Sequence, residues 1–476
     1  MTIKNIGCII KKEFYHRVAA IDNFDTTPRK TTYRHLDELS DAYARGISKL
    51  GIGPGDYVGI WSKNSLEFIA AYFGILRVGA VVVLINTKIS KSEFEYIIED
   101  SGLKTIISDT PLEGVSHHII TDDYLKDFGQ FSPYSPKEED LAVCIYTSGS
   151  TGKPKGVLYT HANHGNNIAI ATKSKFSVER VLVPTPMFHL NGLITMETSC
   201  FCSNTMLIVN SFDPELIIRI IAEYKVDVIS TVTPAMAMIV YKMGDRKNFD
   251  SVKTIRIGSS TTTKGIIEEI KSKFPNATVS ITYGSTEAGA GLFGNEHSFK
   301  QIPETSVGYP AKRNQYRIVD GILHVKTPTM MGAYKNKKEL FDKSFTEDGW
   351  YITGDLFRVD EDGFYYCDGR ADDMFKSGGN TIYCSEIEHA LESNARVKAA
   401  VVVPAYDKIK ALKPVAFVIT DLTESDMFEY LKDKISLYKI PRKFYVTKEI
   451  PMVASGKFDR VKLKNMANEL GEQNDV

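Results

Sequence analysis

The stretch that most constrains the fold is a strand–loop–strand segment centred near residue 150. Leu141 to Tyr146 is an apolar run without alternation, and Val157 to Thr160 is a second short run rich in strand-forming residues. Between them stand Thr147, Ser148, Gly149, Ser150, Thr151 and Gly152, followed by Lys153, Pro154, Lys155 and Gly156. Glycines let a backbone turn sharply and approach a ligand closely. Hydroxyls, exposed amides and lysine charge together suit an anion such as a triphosphate. The pattern is not the P-loop G-x-x-x-x-G-K-[ST], because two residues separate Gly149 from Gly152 and Pro154 follows the first lysine. A strand leaves the loop, so no helix N-terminus is expected beneath the phosphates. A solvated Gly/Ser turn has the same composition, and the remaining chain must decide between the two.

Upstream, Leu36, Leu39, Tyr43, Ile47 and Leu50 recur at helical spacing, with Gly51 placed to end the helix. Tyr57 to Trp61 reads as a strand. Asn64 with Glu67 predicts a capping box for the next helix, and Ser90 with Glu93 predicts another. Ala80 to Ile85 and Thr105 to Ser108 are short apolar strands. Strand–helix alternation with apolar strands indicates parallel α/β sheets. The alternation resumes downstream, with Asp213-Pro214 opening a helix, a strand from Val226 to Thr231, a helix from Lys264 to Phe274 and a strand from Thr278 to Thr282. After about residue 305 the texture becomes β-rich, with hairpins at 316–326 and 350–367. From Ser385 a small α+β unit follows.

At 476 residues the chain exceeds a single core, and a two-domain division is expected at 1–369 and 370–476. A formal net charge of −1 gives no reason to expect nucleic acid or an anionic membrane as partner. Six scattered cysteines complete no zinc pattern and fit reduced thiols in a cytoplasmic protein. The N-terminal apolar run is too short for a signal peptide, and Phe68 to Ile85 is broken by Arg77 and Gly79, so no membrane insertion is expected.

The loop at Thr147–Gly156 closely resembles the phosphate loop of the adenylate-forming superfamily, and further stretches carry the resemblance along nearly the whole chain. Tyr283-Gly284-Ser285-Thr286-Glu287 follows a predicted strand and is similar to the superfamily's Tyr-Gly-x-Thr-Glu. A loop at the carboxyl end of a parallel strand is where open α/β sheets bind ligands. Glu287 can hold Mg²⁺ through a carboxylate oxygen, and Tyr283 can pack on a purine. The resemblance places Thr286 and Glu287, together with His189, among the catalytic residues, and Thr147–Gly152, Lys155, Tyr283 and Gly284 among those that bind ATP. Tyr351-Ile352-Thr353-Gly354-Asp355 matches Tyr-x-Thr-Gly-Asp, which implies that Asp355 binds ribose through its two acceptor oxygens. Gly369-Arg370-Ala371-Asp372-Asp373 matches the hinge pattern, implying Arg370 as a second nucleotide contact and Asp372 as the pivot.

Three further stretches complete the set. Pro451 to Arg460 matches Pro-x-x-x-x-Gly-Lys-x-x-Arg, in which the lysine, here Lys457, serves adenylation as a cation between carboxylate and α-phosphate. An ordinary lysine pKa of about 10.4 would keep it charged at neutral pH. The glycine loop Lys376-Ser377-Gly378-Gly379 corresponds to the segment that lines the superfamily's pantetheine tunnel, although Asn380 and Cys384 depart from the usual Glu and Pro. Pro186 to Gly192 corresponds to the acyl pocket, with His189 as a gate and Asn191 and Gly192 beside it; Gly258, Ser259 and Ser260 stand where a pocket wall is usual. Peptide-synthetase domains carry aspartate at the place of His189, which argues against an α-amino acid. The resemblance implies an AMP-forming acid–thiol ligase that uses MgATP and CoA on a small carboxylic acid. A carrier-protein phosphopantetheine is the alternative acceptor.

Overall fold

The computed structural model describes residues 3–112, 117–120, 129–147, 153–172, 179–246, 249–258, 262, 264–294, 301–377, 380–407, 411–453 and 456–472. The strand–helix alternation is shared between two seven-stranded sheets. One runs in the spatial order Thr278–Thr282, Thr254–Gly258, Val228–Val232, Arg180–Val183, Thr205–Ile208, Val18–Asp22 and Arg29–Thr32, parallel except at its last pair. The other runs Ala333–Tyr334, Lys155–Thr160, Leu141–Thr147, Val81–Leu84, Tyr57–Trp61, Thr105–Ser108 and His117–Ile120, antiparallel only on the two sides of Lys155–Thr160.

The helices Tyr33–Lys49 and Leu66–Arg77 fill the space between the sheets. Their Leu36, Tyr43, Phe68 and Phe73 share one core with Val143 and Tyr159 of the second sheet and Ala20 and Met206 of the first. A helix packed on both sides should be apolar all round. Every residue of Leu66–Arg77 but Glu67 is buried. Arg77 ends it as a buried cation, donating to Asp37, to Asp41 at 2.6 Å and to the Gly7 carbonyl at 2.9 Å. A buried charge needs such partners, and they compensate its desolvation.

The capping box at Ser90 and Glu93 forms as expected. The one expected at Asn64 does not. Ser65 is the N-cap, accepting from the Phe68 amide at 3.0 Å, and Glu67 pairs with Arg29. Asn64 is buried instead and clamps a distant turn: its Nδ2 donates to the Thr185 carbonyl at 3.0 Å, and its Oδ1 accepts from the Met187 amide at 2.8 Å.

The β-rich region forms a four-stranded sheet in the order Gln315–Val319, Ile322–Lys326, Tyr351–Val359 and Tyr365–Arg370. Asp320 and Gly321 turn its first hairpin with φ of 50° and 78°, as a two-residue type I′ turn requires. The last pair sets Asp355 opposite Arg370. A short 3-10 turn, Ala371–Asp373, then leads into the strands Met374–Ser377 and Asn380–Tyr383, and on into an α+β unit. There the helix Cys384–Glu392 packs on a three-stranded sheet of Val397–Asp407, Ala411–Thr420 and Lys443–Val446, with cores of its own around Val402 and Val401.

Asn64→Ala removes a buried donor and acceptor and should destabilise the fold by about 1–3 kcal/mol. In a double-mutant cycle with Glu67→Ala by chemical denaturation, the two losses should add to within about 0.5 kcal/mol. Coupling above that would restore the capping box.

Candidate active site

The strands Val228–Val232, Thr254–Gly258 and Thr278–Thr282 are parallel and in register, so their carboxyl ends open on one edge. A cavity of roughly 1690 Å³ lies there, with Thr147, His189, Asn191, Tyr283, Thr286 and Lys457 in its wall. Gly258 does not line it. A β-carbon on Gly258 would stand 2.4 Å from the Thr282 carbonyl oxygen, so glycine is what lets these strands end side by side.

Beyond Thr282 the chain turns back on itself, with Ser285 and Gly289 exchanging backbone hydrogen bonds. Gly289 sits at φ +90°, and a β-carbon there would strike Asn167 and Thr329 at 2.6 Å. The turn is held from outside by polar groups. Tyr159 donates its hydroxyl to the Thr286 carbonyl at 2.5 Å, the buried Asn167 accepts from the Ala290 amide at 2.7 Å, and Thr329 donates to the Ala288 carbonyl at 2.8 Å. Glu287 therefore has a fixed direction. Tyr334 donates to its Oε1 at 3.1 Å, and Lys155 stands 3.7 Å away. One hard carboxylate beside a lysine suits Mg²⁺ that arrives with phosphate oxygens and water completing its shell. Among the described residues no group of three or more His, Cys, Asp or Glu could hold a metal alone.

Asp355 is buried, with its Oδ2 accepting from the Tyr283 hydroxyl at 2.5 Å and its Oδ1 from Arg370 at 3.2 Å. Burial raises its pKa, and Arg370 opposes the rise. Both oxygens retain a second lone pair for a ligand hydroxyl. The Tyr283 ring is already flanked edge-on by Phe293 and Phe357.

Lys457 comes from the far C-terminal unit, yet it reaches this same cluster. Desolvation between the cleft walls lowers its pKa, while Asp355 and Glu287 pull it back up and Arg370 adds to the lowering. The sequence expectation of an ordinary lysine is corrected in that direction. The side chain stays exposed on the cleft side, so water still reaches the ammonium and limits the effect. Gly456, at φ +79°, sets the loop against the large sheet: a β-carbon there would lie 2.7 Å from Val232.

His189 is the N-cap of the helix Leu190–Cys202, and its ring lies 4.6 Å from that of Phe188, tilted by 60°. Its Nε2 is buried without a hydrogen-bond partner among the described residues. Burial first, and then Lys457, push its pKa down to about 4. The ring is therefore a neutral hydrogen-bonding group at physiological pH. Asn191 accepts at Oδ1 from Ser230 at 3.2 Å. Gly192 faces packing, since a β-carbon would meet the Pro186 carbonyl oxygen at 2.3 Å. Thr147 ends its strand opposite Lys155, with its hydroxyl also buried and unpartnered among the described residues.

Ser148, Gly149, Ser150, Thr151 and Gly152, with Ser259, Ser260, Gly378 and Gly379, lie outside the described residues. Asp372 lies in the 3-10 turn that follows Arg370. Sequence reasoning missed the supports: Asn64, Tyr159, Asn167, Thr329 and Tyr334. Tyr159, a polar tip at the end of the apolar pair Val157-Leu158, carried some signal, whereas Asn64, Asn167 and Thr329 stand among polar neighbours and nothing local marked them.

A family profile described as AMP-binding enzyme matches residues 11–334, and one described as AMP-binding enzyme C-terminal domain matches residues 386–457. The 2-succinylbenzoate–CoA ligase of Bacillus cytotoxicus is 30% identical over 465 residues, covering 94% of this chain and 95% of that protein. The o-succinylbenzoate CoA synthetase of Bacillus subtilis, solved with its acyl-adenylate, superposes with a TM-score of 0.80 at 28% identity over 94% of this chain and 95% of that one. An anthranilate CoA ligase solved with anthranoyl-AMP shares the fold, with a TM-score of 0.89 at 22% identity over 99% of both chains. The chain belongs to the AMP-binding enzyme family, as an AMP-forming ligase of the acyl-CoA synthetase kind.

The His189 imidazole titrates near pH 4 when folded and near 6.5 when unfolded. Between these values the unfolded state binds the extra proton, so this contribution is intact above pH 6.5 and is lost as pH falls towards 4. His161, also pushed to about 4 by burial, adds a slope of the same sign. His189→Gln should flatten, without abolishing, the fall in denaturation free energy across that window. An unchanged slope would contradict the assignment.

Proposed function

We propose that this enzyme activates a carboxylic acid with MgATP and passes the acyl group to CoA. The observation that carries this reading is the arrival of Lys457 at the cluster of Asp355, Arg370, Glu287 and His189. In the first step a carboxylate oxygen attacks the α-phosphorus, the bond to the bridging oxygen breaks and pyrophosphate leaves. Lys457 stands between the two anions and stabilises the charge that develops as they meet. Those same anions favour its protonated form against the desolvation of the cleft. Asp355 and Arg370 orient the ribose, and the hydroxyl of Thr147 supports the phosphates. Glu287 would hold Mg²⁺, which supplies charge neutralisation when bound.

In the second step the CoA sulfur attacks the acyl carbon, AMP leaves and the thiol proton is released. His189, neutral and at the head of the acyl pocket, can donate or accept one hydrogen bond there without adding charge. The names of the relatives favour CoA over a carrier protein, and 2-succinylbenzoate is the first acid to test. We take the chain as two domains, 1–369 and 370–476, joined at Asp372, which the separate cores support. We also place the enzyme in the cytoplasm, a reading supported by six free cysteines; among the described residues no helix is long and apolar enough to cross a membrane.

Lys457→Ala should lower the rate of acid-dependent pyrophosphate exchange by about 10²–10³ or more. It should spare thioester formation from supplied acyl-adenylate. Equal loss of both steps would exclude a role confined to adenylation. Asp372→Pro, which restricts the backbone rotation at the proposed hinge, should do the reverse. Full overall turnover in that variant would remove Asp372 as the pivot.

A further inference from the structure

The helix Leu190–Cys202 has two working faces. Leu190, Asn191, Ile194, Thr195 and Thr198 line the cavity, a spacing of three and four residues that marks a single stripe. Leu193, Met196 and Cys200 turn the other way, into the main core. Polar ties hold its two ends, with Asn64 on the turn before it and Tyr33 donating to the Ser199 carbonyl at 3.0 Å. Apolar contact is non-directional, so the core face by itself does little to stop the middle of the helix from rolling. On that face stands Glu197, fully buried and the only charged residue of the helix.

Its carboxylate meets two side chains, both fully buried. Tyr72 donates its hydroxyl to Oε1 at 2.5 Å, and His164 presents Nε2 to the two oxygens at 3.1 and 3.0 Å. An ionised carboxylate only accepts, so the tyrosine hydroxyl and the imidazole N–H are the donors. Each partner belongs to an element anchored elsewhere. Tyr72 lies in Leu66–Arg77, packed between the two large sheets. His164 lies in the helix His161–Ala171, which Asn163, Asn166 and Asn167 tie to the carbonyls of Met330, Pro328 and Thr329 at 2.8, 3.1 and 3.4 Å.

A buried carboxylate is a poor device for stability, because replacing such a polar cluster by apolar groups of similar volume is often neutral or stabilising. What it supplies is direction, since a hydrogen bond weakens steeply away from its preferred angle. Side chains reach a radius of about 5–6 Å from a helix axis, so a roll of about 10° moves the cavity stripe by roughly 1 Å. A misplacement of about 1 Å at a reacting centre costs on the order of 10² in rate.

We infer that Glu197 is a positioning residue for acid activation: hung from Tyr72 and His164, it sets the rotation of the acyl-pocket stripe against the nucleotide site. This rests on the ligase reading above. The residues assigned to MgATP stand on other elements, so loss of the anchor falls on the acid and spares the nucleotide. Glutamine can replace the glutamate. Its carbonyl oxygen accepts from Tyr72, and its amide donates to Nε2 once the ring proton moves to Nδ1, which has no partner among the described residues to oppose that tautomer.

The test measures acid-dependent pyrophosphate exchange by the full-length enzyme over a panel of carboxylic acids led by 2-succinylbenzoate. Glu197→Met should lower kcat/KM for the acid on the order of 10²-fold and leave KM for MgATP unchanged. Glu197→Gln should restore most of the loss. The triple variant Tyr72→Phe, His164→Leu, Glu197→Met strands no polar group, so it should unfold at or above the temperature of Glu197→Met and still be as slow. Tyr72→Phe alone removes one bond and no charge, and a smaller loss in the same direction is expected of it, which keeps the inference open to refutation even where Glu197→Met does not fold. The shift in thermal unfolding caused by MgATP reports that each variant is folded. A triple variant that regains the wild-type rate together with its stability, equal losses for acid and MgATP, or unaltered kinetics in folded Glu197→Met or in Tyr72→Phe would overturn the inference and leave the ligase reading intact. A wild type that binds MgATP but shows no exchange on any acid would instead bring down the ligase reading and this inference with it.

Discussion

The ammonium of Lys457 sits in a cleft that disfavours its charge. Its walls remove part of the water around the charge, and the carboxylates of Asp355 and Glu287 offset that loss. The dependence is mutual. Asp355 is itself pushed towards its neutral form by burial, and Arg370 with Lys457 opposes the push. The charges are tolerable together and costly apart, so the packing of Gly456 against Val232 and the ionisation of Lys457 and its polar partners belong to one equilibrium. Gly456 makes the docking sterically possible, because only a residue without a β-carbon fits this close to Val232 in that backbone conformation.

The rest of the site is arranged so that the cluster finds its partners in place. Loops are poor carriers of fixed geometry, since their backbone groups lack the regular partners of a helix or sheet. Here the turn bearing Thr286 and Glu287 borrows those partners from a strand, a helix and a neighbouring turn, through Tyr159, Asn167 and Thr329 respectively. The turn before His189 borrows them from Asn64, a residue more than a hundred positions away in sequence. Asp355 and Arg370 need no such help. They are cross-strand neighbours in an antiparallel pair, and the register alone brings them together.

This difference explains what the sequence could disclose. Features fixed by neighbouring residues were legible: the Ser90–Glu93 box, the Asp213-Pro214 helix start, the hairpin at Asp320-Gly321, and the strands on either side of the phosphate loop. Features fixed by distant packing were not. The Asn64–Glu67 spacing satisfies the capping rule on paper, but the demand of a buried turn for a donor and an acceptor outweighed the roughly 1 kcal/mol of a cap. Apolar periodicity also cannot say which of two sheets a strand joins, so the two-layer arrangement with helices between was invisible until the pairing was seen. Gly192 and Gly258 were legible as special but not as to why. They read as pocket lining, whereas each is required by a backbone carbonyl that leaves no room for a side chain.

Three side-chain atoms in the cavity wall share an unusual condition: the hydroxyl of Thr147, Nε2 of His189 and the hydroxyl of Thr198 are all buried without a partner among the described residues. Each such group costs about 1–3 kcal/mol relative to one that is hydrogen-bonded. Other buried polar atoms without a partner among the described residues lie away from the cavity, His164 Nδ1 and Thr254 Oγ1 among them, so what distinguishes these three is that a ligand can reach them. Ligand groups at those three stations would turn each penalty into a gain in binding, with little rearrangement of the wall. The cleft is thus built at some expense to the stability of the empty protein, and the same expense makes it selective. A ligand that fills the space but lacks an acceptor or donor at one station leaves the penalty in place, which is how a pocket of fixed shape can discriminate between acids of similar size.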